Sequence, residues 1–184
     1  MKTHLILLGL LIGTTCVIAK EDGAKRPLEV VPSVDLNRYA GTWYEIARMP
    51  FKYQEQCVGD VTATYTVLED GTVHVVNRCR TTDGEMDEAV GTARRLSEDE
   101  PNTKLEVRFA PAFLSFLPFV WGNYWIIDLA EDYSYSIVGE PDREYLWILC
   151  RTPKMDDAVY ERLLVKVREQ GYDPTRLIKT RHGH

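Results

Sequence analysis

Basic residues are in the minority: 22 lysines and arginines face 28 aspartates and glutamates, for a net charge of −6 and a pI near 5.3. No cationic face is available to neutralise phosphates, which excludes nucleic acid as a partner. Histidine is scarce as well, with four residues at positions 4, 74, 182 and 184. No paired-histidine motif, Gly-rich phosphate loop or Ser-His-Asp order appears, so the chain has no evident metal site, cofactor site or catalytic residue. The acidic pair Asp156-Asp157 is better placed as the start of a helix than as a metal ligand. Beyond the first nineteen residues no apolar run is long enough to cross a bilayer as a helix.

What remains is the composition of an ordinary globular domain, 45% hydrophobic and 27% charged in 184 residues, enough for one sizeable core. Residues 1–19 have the pattern of a signal peptide, with Lys2 and His4 as a polar head before an apolar stretch. Two processing routes are open. Val17-x-Ala19 suits cleavage before Lys20, whereas Cys16 offers a lipidation site, although the threonine before it departs from the usual lipobox. Either route exports the chain, to the periplasm or outer membrane with or without a lipid anchor, or to the outside as a secreted protein. Residues 20–32 are charged, proline-bearing and aperiodic, which predicts a flexible arm or a segment laid over the folded domain. That domain is expected to fill residues 33–184.

Short period-two runs dominate from there. Strands are expected over 42–49, 58–68, 72–79, 88–96, 104–109, 122–128, 133–138 and 145–151. In the second, Val61, Ala63, Tyr65 and Val67 alternate with Thr62, Thr64 and Thr66. Asp70-Gly71 is a hairpin signal. The period then changes: residues 156–170 place Val159, Leu163, Lys166 or Val167, and Gln170 at helical spacing before a stop at Gly171. Eight strands with short links form an all-β, antiparallel up-and-down meander, and closing it into a barrel removes the exposed edges. The one C-terminal helix packs outside.

Two segments resemble signatures of the lipocalin family. Gly41-Thr42-Trp43-Tyr44-Glu45-Ile46-Ala47-Arg48 is similar to the first, in which the glycine permits a tight backbone entry and the tryptophan plugs the closed end of the barrel. Tyr145-Leu146-Trp147-Ile148-Leu149-Cys150-Arg151-Thr152-Pro153 is similar to the third, in which the arginine lies across that tryptophan. Strand parity agrees, because a first strand begins, and an eighth ends, at the same end of an eight-strand meander. A guanidinium over an indole face is a favourable contact. Between the sixth and seventh strands Glu131-Asp132-Tyr133 keeps the acid and the aromatic of the second signature but not its threonine. The resemblance is nearest to the bacterial outer-membrane lipocalins and apolipoprotein D.

The resemblance implies an internal cavity for a lipophilic ligand. Trp43 and Tyr65 point inward in that family, so residues of the same parity are expected to line it: Ala47, Met49, Val61, Ala63, Val73, Val75, Asn77, Leu105, Val107 and Phe109. Such an apolar tube suits a fatty acid or lysophospholipid, with Asn77 available to orient a head group. A role in membrane or envelope maintenance under stress is what the resemblance implies. The alternatives are side chains that simply fill the barrel, an isomerase or de-epoxidase on the same fold, or a heme or pigment carrier. Glu45 shares the inward parity and needs a partner, for which Arg151 or a bound water is expected.

Parity also puts the links 50–57, 80–87, 110–121 and 139–144 opposite Trp43, at the open mouth. Cys57 and Cys79 then sit on neighbouring strands at that mouth, where an exported chain can join them in a disulfide. Cys150 is left over as a small buried apolar residue. The link 110–121 is almost free of polar atoms and includes Phe113, Leu114, Phe116, Leu117, Phe119 and Trp121. Left in water, such a segment needs a reason; it is a lid over the cavity, a contact in a weak homodimer of an otherwise monomeric chain, or a wedge into a lipid surface.

Overall fold

Period-two alternation becomes a sheet that closes on itself. The computed structural model describes residues 26–183; the signal-like segment 1–19, with Cys16, and residues 20–25 lie outside the described residues. A short helix α1 (Leu36–Tyr39) leads into β1 (Gly41–Arg48), followed by β2 (Cys57–Val67), β3 (Val73–Thr81), β4 (Met86–Arg95), β5 (Lys104–Arg108), β6 (Gly122–Leu129), β7 (Tyr135–Gly139) and β8 (Leu146–Cys150). Each strand pairs antiparallel with the next, and β1 pairs with both β2 and β8, so the eight-strand barrel is complete. Of the two forms open to the arm, the described residues take the second. Val31 N donates to Ile126 O at 3.0 Å, Thr103 Oγ1 donates to Val31 O at 2.9 Å, and Leu28 is buried.

The helix α2 (Asp157–Glu169) starts where the acidic pair placed it. Asp156 caps it by accepting from Ala158 N and Val159 N at 2.9 and 3.2 Å, satisfying two amides that have no partner in the first turn. Its buried face is Tyr160, Leu163 and Val167; Leu163 and Val167 are where the helical spacing put them, Tyr160 is added, and Val159 packs against the same cluster only partly buried. That face covers the outward side chains Ile127, Ile137 and Ile148 of the barrel.

Two features were not legible as strands. First, the pairing of β1 with β8 shifts register between Glu45 and Ala47, a bulge that inserts one residue and reverses every side chain beyond it. Ala47 and Met49, expected inside the barrel, are thereby turned outward into the cluster under α2. Second, the chain beyond α2 returns as β9 (Ile178–Lys179) against β1. The ladder from β1 to β2 ends at Tyr44 and Thr62, with Asp60 at a φ of 53°. The tail fills the gap: Thr180 N donates to Ile46 O at 3.0 Å and Asp60 N to Arg181 O at 2.8 Å. Backbone groups left open where the β1–β2 ladder stops are satisfied this way.

Candidate functional site: the barrel cavity

The closed end is a stopper built from sequence-distant parts. Trp43 is fully buried and donates from Nε1 to Tyr39 O at 2.8 Å. The Arg151 guanidinium lies 3.8 Å from the indole centroid, where the parity of β1 and β8 puts it. Its nitrogens are used up on backbone carbonyls, those of Arg38 at 2.7 Å, Tyr39 at 3.1 Å and Thr42 at 3.0 Å. Gly41 makes the entry at a φ of +92°, in the left-handed region that a side chain would strain. Trp43 therefore sits beneath the cavity; it was expected on the ligand wall, but the Tyr39 ring at 4.9 Å covers it.

Above the stopper lies a layer of three tyrosines. Tyr39 Oη is 2.9 Å from Tyr124 Oη and 3.1 Å from Ser136 Oγ, while Tyr124 Oη is 3.0 Å from Tyr65 Oη. Burial among apolar side chains disfavours the phenolate, pushing Tyr39 up to about 12 and Tyr65 and Tyr124 well above the usual tyrosine range. All three remain neutral at any physiological pH.

A cavity of about 950 Å³ rises from this floor. Val61, Ala63, Tyr65, Val73, Val75, Asn77, Leu105, Val107 and Phe109 lie on its wall, together with Leu36, Ala89, Ala93, Trp147 and Leu149. The second group follows from the same parity carried onto β4 and β8, and from α1, which no alternation signals. Asn77 Oδ1 is buried without a hydrogen-bond partner. The barrel interior is thus open space rather than packed side chains.

Toward the mouth the wall carries a buried ion pair. Glu45 lines the cavity and is held by Arg48 Nη1 at 2.9 Å, by Gln54 Nε2 at 3.0 Å and by the Thr180 hydroxyl of the tail. Its cationic partner is Arg48 rather than the expected Arg151. The bulge explains the difference, since it brings Arg48 to the inward parity that an unbroken strand would give to Ala47. Trp147 Nε1 donates to Gln54 Oε1 at 3.0 Å, and Phe51 meets Tyr145 and Trp147 edge-on at 5.0 and 5.5 Å. The Cys57–Cys79 disulfide is formed, with 5.5 Å between Cα atoms, and both cysteines border the mouth.

The 110–121 link folds as two single turns, Ala112–Leu114 and Pro118–Val120. Phe113, Phe116 and Phe119 are 75%, 77% and 80% exposed, and Leu114, Leu117 and Trp121 are half-buried. Trp121 anchors the loop, donating to Ser115 O at 2.8 Å beneath the Arg94 guanidinium at 4.0 Å. The loop borders the mouth without burying its phenylalanines in the cavity. Cys150 is buried on the outer side, in the cluster with Met155, Tyr160 and Leu163, and lines a groove of about 490 Å³ beside α2, apart from the cavity. Among the described residues no group of three or more His, Cys, Asp or Glu side chains could hold a metal ion.

Comparison with known proteins agrees with this geometry. A family model described as a lipocalin-like domain matches residues 34–182. The chain is 40% identical to temperature-induced lipocalin-1 of Arabidopsis thaliana over 85% of its own length and 83% of that protein's. It is 36% identical to the outer membrane lipoprotein Blc of Escherichia coli K12 over 83% and 82%, and 33% identical to rat apolipoprotein D over 83% and 81%. Among solved structures, lobster apocrustacyanin A1 superposes with a TM-score of 0.64, covering 86% of this chain and 93% of that one. Insecticyanin from the tobacco hornworm Manduca sexta superposes with 0.65, covering 86% of each. Both are 18% identical and show the fold alone. With the stoppered barrel, the hollow apolar interior and these relatives, the chain belongs to the lipocalin family, whose barrels bind small hydrophobic ligands.

Proposed function

We propose that the barrel takes up a single fatty acid or lysophospholipid and holds its acyl chain in the cavity, serving membrane or envelope maintenance under stress in an exported chain. The observation that carries this reading is the hollow of about 950 Å³ with an apolar wall, near the upper end of the ~300–1,000 Å³ typical of small-molecule sites. An acyl chain needs a long dry tube, and the head group stays at the mouth, where the polar side chains Gln54, Gln56, Arg78 and Asp87 stand. Native mass spectrometry of protein purified with its bound lipids tests the proposal. One adduct with the mass of a fatty acid or lysophospholipid is the expected result, and the same spectrum reports copy number and N-terminal processing at Cys16 or Lys20. An empty barrel that also fails to bind a fluorescent fatty acid would reject it, and visible absorbance in the purified protein would move the assignment to a heme or pigment.

The exposed phenylalanines extend the proposal to a lipid surface, from which such a ligand would enter. Phe119 borders the cavity, Phe113 and Phe116 are exposed on the same link, and exposed aromatic rings are suited to the headgroup boundary. Replacing Phe116 and Phe119 with serine should leave thermal unfolding unchanged, because neither ring is in the core, while weakening vesicle binding about tenfold or more by the loss of buried apolar area. Unchanged vesicle affinity in a flotation assay rejects the membrane role.

A further inference from the structure

The tyrosine floor has no task in a carrier of plain acyl chains. Trp43 under Arg151 already seals the barrel, and phenylalanine rings would fill the same layer without burying oxygens. Placing a hydroxyl among apolar side chains is unfavourable unless it is bonded. The floor nevertheless holds a chain of four hydroxyls, from Tyr65 through Tyr124 and Tyr39 to Ser136, whose Oγ lies 3.3 Å from Asp128 O. A phenol has one donor and two acceptor positions. Tyr39 and Tyr124 each bond to two other hydroxyls, whereas Tyr65 bonds only to Tyr124. Tyr65 is therefore the end of the chain with spare capacity, and it lines the cavity.

Its position is rigid. The Tyr65 ring stacks on Tyr39 at 5.7 Å and meets Tyr124 edge-on at 5.9 Å, so the oxygen is held without a ligand to hold it. We infer that the cavity floor is a hydroxyl-recognition site, and that the preferred ligand is an acyl chain carrying a neutral hydroxyl at the end that enters first, read by Tyr65 Oη. A hydroxyl fits whichever way the chain is polarised, because it can donate to the Tyr65 oxygen or accept its hydrogen. A carboxylate does not fit there: the nearest cation, Arg151, lies on the far side of Trp43 with its nitrogens committed to carbonyls. Burial keeps the tyrosines neutral, so the floor offers no charge of its own.

This inference rests on the acyl-chain reading and narrows it. The test compares dodecanoic, tetradecanoic, hexadecanoic and octadecanoic acids with their ω-hydroxy counterparts, by displacement of a fluorescent fatty acid from delipidated protein. At the chain length that spans the cavity, the ω-hydroxy acid should bind about fivefold to tenfold more tightly, the worth of one net hydrogen bond in a dry site. In Tyr65→Phe, which keeps the ring and removes the oxygen, the preference should vanish or reverse, since the ligand hydroxyl is then buried unpaired. Equal binding of each pair at every length overturns the inference while leaving the carrier reading intact; so does a preference that survives in Tyr65→Phe. Failure of both series to displace the probe removes the carrier reading and this one with it. Should Tyr65→Phe not fold, the length series on the unaltered chain decides alone.

Discussion

Trp43→Ala is expected to lower the unfolding free energy by about 3–5 kcal/mol, the range for emptying a large buried aromatic site. The indole is fully buried, and its loss acts on three connections together. Tyr39 O loses the Nε1 donor at 2.8 Å, the Tyr39 ring loses the surface on which it rests, and Arg151 loses the face it covers. The Arg151 hydrogen bonds to the carbonyls of Arg38, Tyr39 and Thr42 are independent of the indole, so the end should loosen rather than open. Urea denaturation measures the effect, and a loss under about 1 kcal/mol would mean that the stopper collapses onto the site without a cavity, or that it is not the keystone of the closed end.

The second large effect is expected at Glu45→Ala. The Glu45 and Arg48 side chains are only 3% and 9% exposed, and removing one partner of a buried pair leaves the other charge uncompensated, which costs about 3–5 kcal/mol. Arg48 Nε is already without an acceptor, and Gln54 and Thr180 would lose theirs as well. Because Thr180 belongs to the tail that bridges β1 and β2, the same change should release residues 178–183, read as faster amide exchange at Asp60 and Thr180. Removing both partners in Glu45→Ala/Arg48→Met should restore most of the lost stability. A double variant no more stable than the single one would show that the pair is not coupled and that the carboxylate acts through the tail alone.

Much of this molecule is legible in local pattern. Regular alternation in β2, β3 and β5 assigns Val61, Ala63, Tyr65, Val73, Val75, Asn77, Leu105, Val107 and Phe109 to one face, and all of them line the cavity. Counting strands brings Trp43 under Arg151 and the two mouth cysteines within bonding distance. Where a strand breaks its period, the pattern misleads. Ala47 and Met49 share the alternation of Trp43, yet one inserted residue at the bulge moves them under α2 and puts Arg48 beside Glu45. In α2 the helical spacing holds at Leu163 and Val167, while the barrel surface adds Tyr160 to the buried face and leaves Val159 only partly covered.

The order of residues alone determined the eight-strand meander and which strand ends meet, because period-two alternation and strand parity are local quantities that survive without coordinates; which end is sealed and which face is the wall came from the resemblance of its first and eighth strands to the lipocalin signatures. Tertiary structure alone decided which side of β1 faces the ligand beyond Glu45, how the tail completes the wall, and that Tyr39, Tyr65, Tyr124 and Ser136 share one chain of hydroxyls. Those outcomes depend on an inserted residue and on contacts between side chains 59 to 97 positions apart. A hydrogen bond at that separation is selected by the closed barrel as a whole, and no short stretch of sequence encodes it.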